Sequence, residues 1–309
     1  MNTIKSFNHR LNQSIISEQL AFSKFRSNVD KRLKTHIVKL NDAKRVCIIG
    51  AGNLSDFSLS LFCMNFDEIL ITDVDIESSK EVVKKIQKKN KCQKNIIFKE
   101  VEYTGFNKAK FFTDFSREIT RCISFDEIDR YIKTKIKMIT EYTFLSDYEN
   151  YFDLVYVSPI YTQLIYQQLL LECSKLREKG FQENFLKYIE HEMLDEMIDV
   201  IKRFNTNIMK LVSKDGTLVV LSDILQLDNQ SDYKKSIEEK INDYPKMEEE
   251  YRRYSNKYGM GLGDFGLYNL DMQMQIKDSV WLLWPFNKDT SFAVKMKVYK
   301  KKILKEVFL

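Results

Sequence analysis

Apolar residues recur along this chain in two alternating rhythms. Short continuous runs, "RVCIIG", "EILITDVD", "NIIFKEVEY", "YFDLVYVSP" and "GTLVVLSDI", are rich in β-branched residues and have the length of strands buried on both faces. Between the first three, "NLSDFSLSLFCMN" and "IESSKEVVKKIQKKN" carry apolar residues at helical spacing. Strand and helix in that alternation predict an α/β chain with a doubly wound, mostly parallel sheet, which binds ligands at the carboxyl ends of its strands. The last stretch, "SVWLLWPFNKDTSFAVKMKVYKKK", reads as two strands joined by the turn "NKDT". That hairpin sets one strand antiparallel to the rest.

Ahead of the first strand, Leu11, Ile15, Leu20, Phe22, Phe25 and Val29 stand at roughly helical spacing and predict two helices. Their polar face is basic, with Arg10, Lys24, Arg26, Lys31, Arg32 and Lys34, which serves either as a solvated face or as a grip on an anion. The chain thus divides into an N-terminal helical segment, 1–43, and one domain, 44–309. Three stretches of that domain, about 106–150, 176–212 and 226–277, are too long for simple crossovers. Helical patterning, such as the stripe of Leu186, Ile189, Met193, Met197, Val200 and Ile201, marks them as insertions expected to cap the site.

The candidate chemistry starts at the first strand's end. Gly50 and Gly52 let the backbone bend tightly and bare main chain to a ligand. A helix from about Leu54 is expected to aim its amides at that space. Asp73 closes the second strand about 20 residues on, where a carboxylate takes ribose hydroxyls. Asp75 is a second candidate, or the cap of the next helix. For a dinucleotide the turn should read G-x-G-x-x-G, but Ser55 holds the third position. The fourth strand ends in Ser158-Pro159-Ile160-Tyr161, similar to the S-P-P-Y tetrapeptide of amino-directed DNA methyltransferases, with Ile160 in place of the second proline.

A parallel sheet finished by a hairpin is the plan of class I S-adenosylmethionine-dependent methyltransferases. The stretches "GAGNLSDFSLSLFCMNFDEILITDVD", "EYTGF", "VSPIYTQLIYQQL" and "GTLVVLSDI" resemble a little-characterised bacterial group of that superfamily, over residues 45–224. The resemblance implies a Rossmann-like fold and S-adenosylmethionine as cofactor, with S-adenosylhomocysteine as product. It also implies site roles. Gly50 and Gly52 would face the cofactor's methionine part, with Asp56 near its amino group. Asp73 would take the ribose, with Val74 against the adenine and Glu102, or the backbone around Tyr103, on the adenine amine. Ser158 would lie beneath the sulfonium, with Tyr161 and Gln163 close by; Ser158 and Tyr161 are the catalytic candidates. Gln163 serves equally well as a helix-start residue bonded to main chain. The acid usual two residues before the first glycine is Ile48 here, and Leu54 stands where a third glycine is common.

Composition narrows the picture further. A net charge of +5 from 49 basic and 44 acidic residues makes no strong field for nucleic acid, and no run is apolar enough for a membrane span or signal peptide. Cys47, Cys63, Cys92, Cys122 and Cys173 are scattered without a CxxC pair, which predicts reduced thiols, a cytoplasmic location and no metal site. His9, His36 and His191 show no partner by pattern, so no general base is assigned. The run "NKYGMGLGDFGLYNLD" holds four of the nine glycines and is expected to be irregular and mobile. It makes a candidate substrate lid through Tyr258, Gly261, Gly263, Phe265 and Tyr268. The expected acceptor is a small molecule. The N-terminal helices either cover the cofactor or join a homodimer. NAD(P)-dependent oxidoreduction and inert cofactor binding are the competing readings, with methylation of DNA or RNA amino groups behind them.

Overall fold

Seven strands build one sheet in the computed structural model: β1 (Arg45–Ile49), β2 (Glu68–Asp73), β3 (Asn95–Glu100), β4 (Phe152–Val157), β5 (Val212–Asp228), β6 (Met274–Pro285) and β7 (Thr290–Lys301). Their order is β3-β2-β1-β4-β5-β7-β6. β1 to β5 run parallel, and β7 lies antiparallel to both β5 and β6, as the terminal hairpin predicts. The structure describes residues 3–14, 19–40, 42–88, 92, 94–228, 231–286 and 289–302. Ile15 of the N-terminal pattern, and Asn287 and Lys288 of the predicted turn, lie outside the described residues. The order reverses between β1 and β4, so the carboxyl ends of those two strands open the crevice where such folds bind ligands.

The period-2 alternation of the strands feeds two cores. Cys47 and Ile49 of β1, Leu70 of β2, Val155 and Val157 of β4, and Leu218 and Val220 of β5 point to one face. Val46, Ile48, Ile69, Ile71, Leu154, Tyr156, Val219 and Leu221 point to the other. The second face is covered by α2 (Gln19–Ile37), α3 (Leu59–Asn65) and α4 (Ile76–Lys88). The first is covered by α5 (Phe111–Ile119), α6 (Phe125–Lys137), α7 (Tyr166–Glu178), α8 (Glu183–Leu211) and α11 (Leu262–Gln273). All six residues of the α8 stripe are buried there. α9 (Lys234–Lys240) and α10 (Tyr244–Tyr258) close a smaller cluster with Trp281 on the hairpin. α1 (Thr3–Ser14) touches α5, with Ile4 reaching the first core. Among the described residues, no helix is long and apolar enough to cross a membrane.

Three expectations are corrected. The helix after the glycine turn starts at Leu59, not near Leu54, because Leu54 is left-handed (φ 56°) and breaks it. Its first turn is capped from α2: Asp30 accepts from the Ser58 amide (2.9 Å) and hydroxyl (2.5 Å). The glycine-rich run is helical over α11, because Gly263 and Gly266 sit where the helix presses its neighbours. A Cβ would stand 2.5 Å from the Asp223 carbonyl oxygen at Gly263 and 2.5 Å from the Tyr161 ring at Gly266. Finally, Cys63 and Cys92 form a disulfide between the end of α3 and the chain after α4, their Cα atoms 5.5 Å apart. The fold brings together two cysteines 29 residues apart, which a search for close spacing does not find, and the ground for expecting reduced thiols is removed. Replacing Asp30 with alanine should cost about 1–2 kcal/mol, read as a lower urea midpoint with an unchanged slope.

Candidate functional site

The glycine turn is held by side chains from the neighbouring strand ends. The Gly50 amide donates to the Tyr103 hydroxyl oxygen (3.0 Å), and the Gly52 amide to Asp73 Oδ2 (2.8 Å). The other Asp73 oxygen accepts from the Asp75 amide (2.7 Å). Thr72 Oγ1 donates to the Ile48 carbonyl (2.9 Å) and so is left to accept from the Tyr103 hydroxyl (3.0 Å). Both glycines are left-handed, at φ 69° and 50°. A Cβ at Gly50 would come within 2.9 Å of Ile160, and one at Gly52 within 2.9 Å of Asn12. Burial pushes the Asp73 carboxyl up to about 6, against the pull of the amides it accepts.

Two hollows flank this turn. The narrower, about 50 Å³, is lined by Asp73, Val74, Glu102, Tyr103 and Thr104, with Ile4, Asn8 and Asn12 of α1 across it. α1 is pinned there by Asp75. Asn12 Nδ2 donates to Asp75 Oδ2 (2.9 Å), and His9 Nδ1 lies 3.2 Å from the same oxygen. Asp75 also accepts from Ser78 Oγ of α4, so its carboxylate serves the local turn and α1 rather than open space. Of the basic N-terminal face, Arg26 is half-buried and donates to the Ser55 carbonyl (2.9 Å), while Arg10, Lys24, Lys31, Arg32 and Lys34 are exposed.

The wider hollow, about 290 Å³, shares Asn12, Gly50, Gly52, Pro159 and Gln163 with the first. Its walls carry Asp56, Ser158, Asp223, Trp284, Phe286 and Phe292 and, among the described residues, no lysine or arginine. Asp56 and Asp223 are both buried. Burial pushes each carboxyl up to about 6, with Ser158 and Arg26 drawing Asp56 back and Thr162 drawing Asp223 back. The Ser158 hydroxyl is near enough to favour the Asp56 carboxylate, yet closes no well-formed hydrogen bond. Asp223 Oδ2 accepts from Thr162 Oγ1 (2.8 Å), while Asp223 Oδ1 and Trp284 Nε1 are buried without a partner.

The predicted site residues separate. Gly50, Gly52, Asp56, Asp73, Val74, Glu102, Tyr103, Ser158 and Gln163 all line one or both hollows. The Glu102 carboxylate turns inward, accepting from the Thr104 amide and hydroxyl and from the Gly105 amide, so it caps its own turn. Gln163 Nε2 donates to the Pro159 carbonyl (3.2 Å). Tyr161 is corrected: its ring is fully buried against Phe204, and its hydroxyl donates to Asn205 (2.8 Å). It lines neither hollow and cannot stack on a flipped base. The lid candidates also lie elsewhere. Tyr258 and Tyr268 are about half exposed, Phe265 packs on the first core, and Gly261 caps α11, so none of these lines either hollow. His191 is exposed on α8, while His36 pairs with Asp278 of β6 (2.9 Å). Sequence reading missed Asp223 and Trp284. The one signal for Asp223 was an acid inside the otherwise apolar run "LVVLSDIL".

No protein-family model matches the sequence, and no curated protein does. Solved structures match over most of their length. The N-methyltransferase NodS from Bradyrhizobium japonicum WM9, in complex with S-adenosyl-L-homocysteine, has 9% identity, covers 97% of this chain and 99% of its own, and gives a TM-score of 0.46. A SAM-dependent methyltransferase from Leishmania major has 9% identity, coverage of 96% and 83%, and a TM-score of 0.44. One from Aquifex aeolicus has 10% identity, coverage of 94% and 97%, and a TM-score of 0.43. The strand order itself carries the fold: a Rossmann-like sheet closed by an antiparallel hairpin, the class I methyltransferase plan. That much was expected.

Two outcomes follow from the geometry. Tyr103→Phe leaves the Gly50 amide without its acceptor and should cost about 1–3 kcal/mol, with faster hydrogen exchange at that amide. For Asp223 the folded pKa is raised, so its stabilising effect is fully present at low pH and is lost as pH rises through about 6. Asp223→Asn should therefore raise the melting temperature near pH 8 and leave it nearly unchanged at about pH 4, as scanning calorimetry would read.

Proposed function

We propose that this chain is an S-adenosylmethionine-dependent methyltransferase acting on a small-molecule acceptor. One observation carries the reading: the wider hollow opens from the glycine turn, bears two buried carboxylates and, among the described residues, has no cationic residue in its walls. Such a wall suits a sulfonium and an ammonium, and opposes a pyrophosphate. The amide at the head of α3 is already taken by Asp30, so a dinucleotide would lack the helix terminus that normally receives its phosphates.

The residues present fit the cofactor. The left-handed glycines bare main chain, and the buried Ser158 hydroxyl, on the wall of the wide hollow, closes no well-formed hydrogen bond. Asp73 would hold the ribose, because each carboxylate oxygen accepts more than the one amide it has now. Val74 would pack on the adenine and Asp56 would meet the amino group. When bound, the cofactor supplies a methyl group already activated by the sulfonium. The chain's own task is then to align a nucleophile, exclude water and receive its proton. The narrow hollow is too small for an adenosine, so α1 must shift as the cofactor enters.

S-adenosylhomocysteine should raise the melting temperature and NADH should not. Asp73→Asn should weaken S-adenosylhomocysteine about tenfold or more by calorimetry. Stabilisation by NADH alone would replace this reading with oxidoreduction.

A further inference from the structure

The wider hollow carries more information than the presence of a cofactor. It has two carboxylates, and the cofactor has one amino group. Asp56 stands on the glycine loop, beside Ser55, whose carbonyl Arg26 holds. Asp223 stands on the far wall, on β5, with one oxygen fixed by Thr162. Its other oxygen is buried and closes no well-formed hydrogen bond. A buried carboxylate oxygen left unpaired is costly, and in native proteins such a group is usually met by a donor from water, an ion or a ligand. Close by, Trp284 forms an aromatic wall with Phe286 (5.4 Å between ring centres) and Phe292 (5.7 Å). Phe25 stacks on Trp284 at 5.7 Å and fixes its plane. Carboxylate and ring faces together attract a cation and give nothing to an anion.

We infer that the methyl acceptor is a small primary or secondary amine, received as its ammonium by Asp223 with its apolar part against Trp284, Phe286 and Phe292. This rests on the methyltransferase reading above. A hollow of about 290 Å³, at the low end for ligand sites, must hold the acceptor beside the cofactor's methionine part, which limits the acceptor to a small molecule. The chemistry closes without another reactant. The ammonium gives one proton to Asp223, and the freed nitrogen lone pair bonds the methyl carbon. The carbon–sulfur bond breaks with its electron pair left on sulfur, and Asp223 then releases the proton to solvent. Asp223 is suited to that exchange because burial sets its carboxyl near about 6, between the protonated and ionised forms at mild pH.

The test is calorimetric titration of the full chain with saturating S-adenosylhomocysteine, using benzylamine and phenethylamine beside their matched alcohols and carboxylates. At least one amine should bind about tenfold or more tightly than its alcohol and carboxylate. Asp223→Asn should cancel that preference, read at an S-adenosylhomocysteine concentration that saturates the variant. Neither amine binding, an alcohol or carboxylate binding as well, or an unchanged preference in Asp223→Asn would each overturn the inference. Selectivity of the unmodified protein decides the matter even if the variant fails to fold. Loss of S-adenosylhomocysteine binding by the unmodified protein is a separate outcome, because it removes the methyltransferase reading itself.

Discussion

Two amide protons organise this site. Gly50 and Gly52 turn the chain at the end of β1, and each donates to a side chain from a neighbouring strand end: the Tyr103 hydroxyl, just past β3, and the Asp73 carboxylate of β2. An amide on a turn this exposed to a cleft is ordinarily left to water or ligand. Here it is bonded to the protein, so the turn is set before any ligand arrives. The cost is that left-handed geometry is fixed twice within three residues, which only glycine accepts without strain. The carbonyl side of the turn is tied in as well, Gly52 accepting from the Ser79 hydroxyl and Ala51 from the Leu54 amide, while each Asp73 oxygen keeps room for a further donor.

The same end of the sheet holds three buried aspartates, Asp56, Asp73 and Asp223, each pushed up to about 6 by burial. A fold selected for stability alone would not keep three such groups at one edge of its core. They divide between the two hollows. Asp73 faces the narrow hollow, and Asp56 and Asp223 face the wide one. α1 closes over the narrow side through Asn12, His9 and Asp75, where a few polar contacts hold a short helix.

The sheet was legible because buried parallel strands have a simple signature, continuous β-branched runs of about six residues. The glycine turn and Asp73 were legible because a tight turn after the first strand and an acid ending the second recur at a fixed spacing in sheets of this plan. What escaped depends on distant neighbours. Leu54 ends one helix before it starts by adopting a left-handed conformation no local propensity favours. Four glycines in a row of sixteen residues argue for irregularity, yet α11 forms because its glycines let it press against β5 and Tyr161. The Cys63–Cys92 pair and the Asp223–Trp284 wall join residues from different elements, so neither leaves a periodic trace.

The tetrapeptide after β4 shows how far a short motif can mislead. Ser158 and Tyr161 are three residues apart, and a single turn of 3₁₀ helix over Tyr161–Gln163 sends them to opposite sides of the sheet edge. Ser158 stays on the wall of the wide hollow. Tyr161 swings under it to donate to Asn205 of α8 and to receive Gly266 of α11 against its ring. Ile160 occupies the turn between them and fills the space over Gly50 that a side chain there would need. A proline at that position would remove the Ile160 Cδ1 contact and, with it, the packing that closes the glycine turn from above. Tyr161 is therefore a core residue, and of the motif's two polar side chains only Ser158 lines the wide hollow, whose walls also carry Asp56 and Asp223.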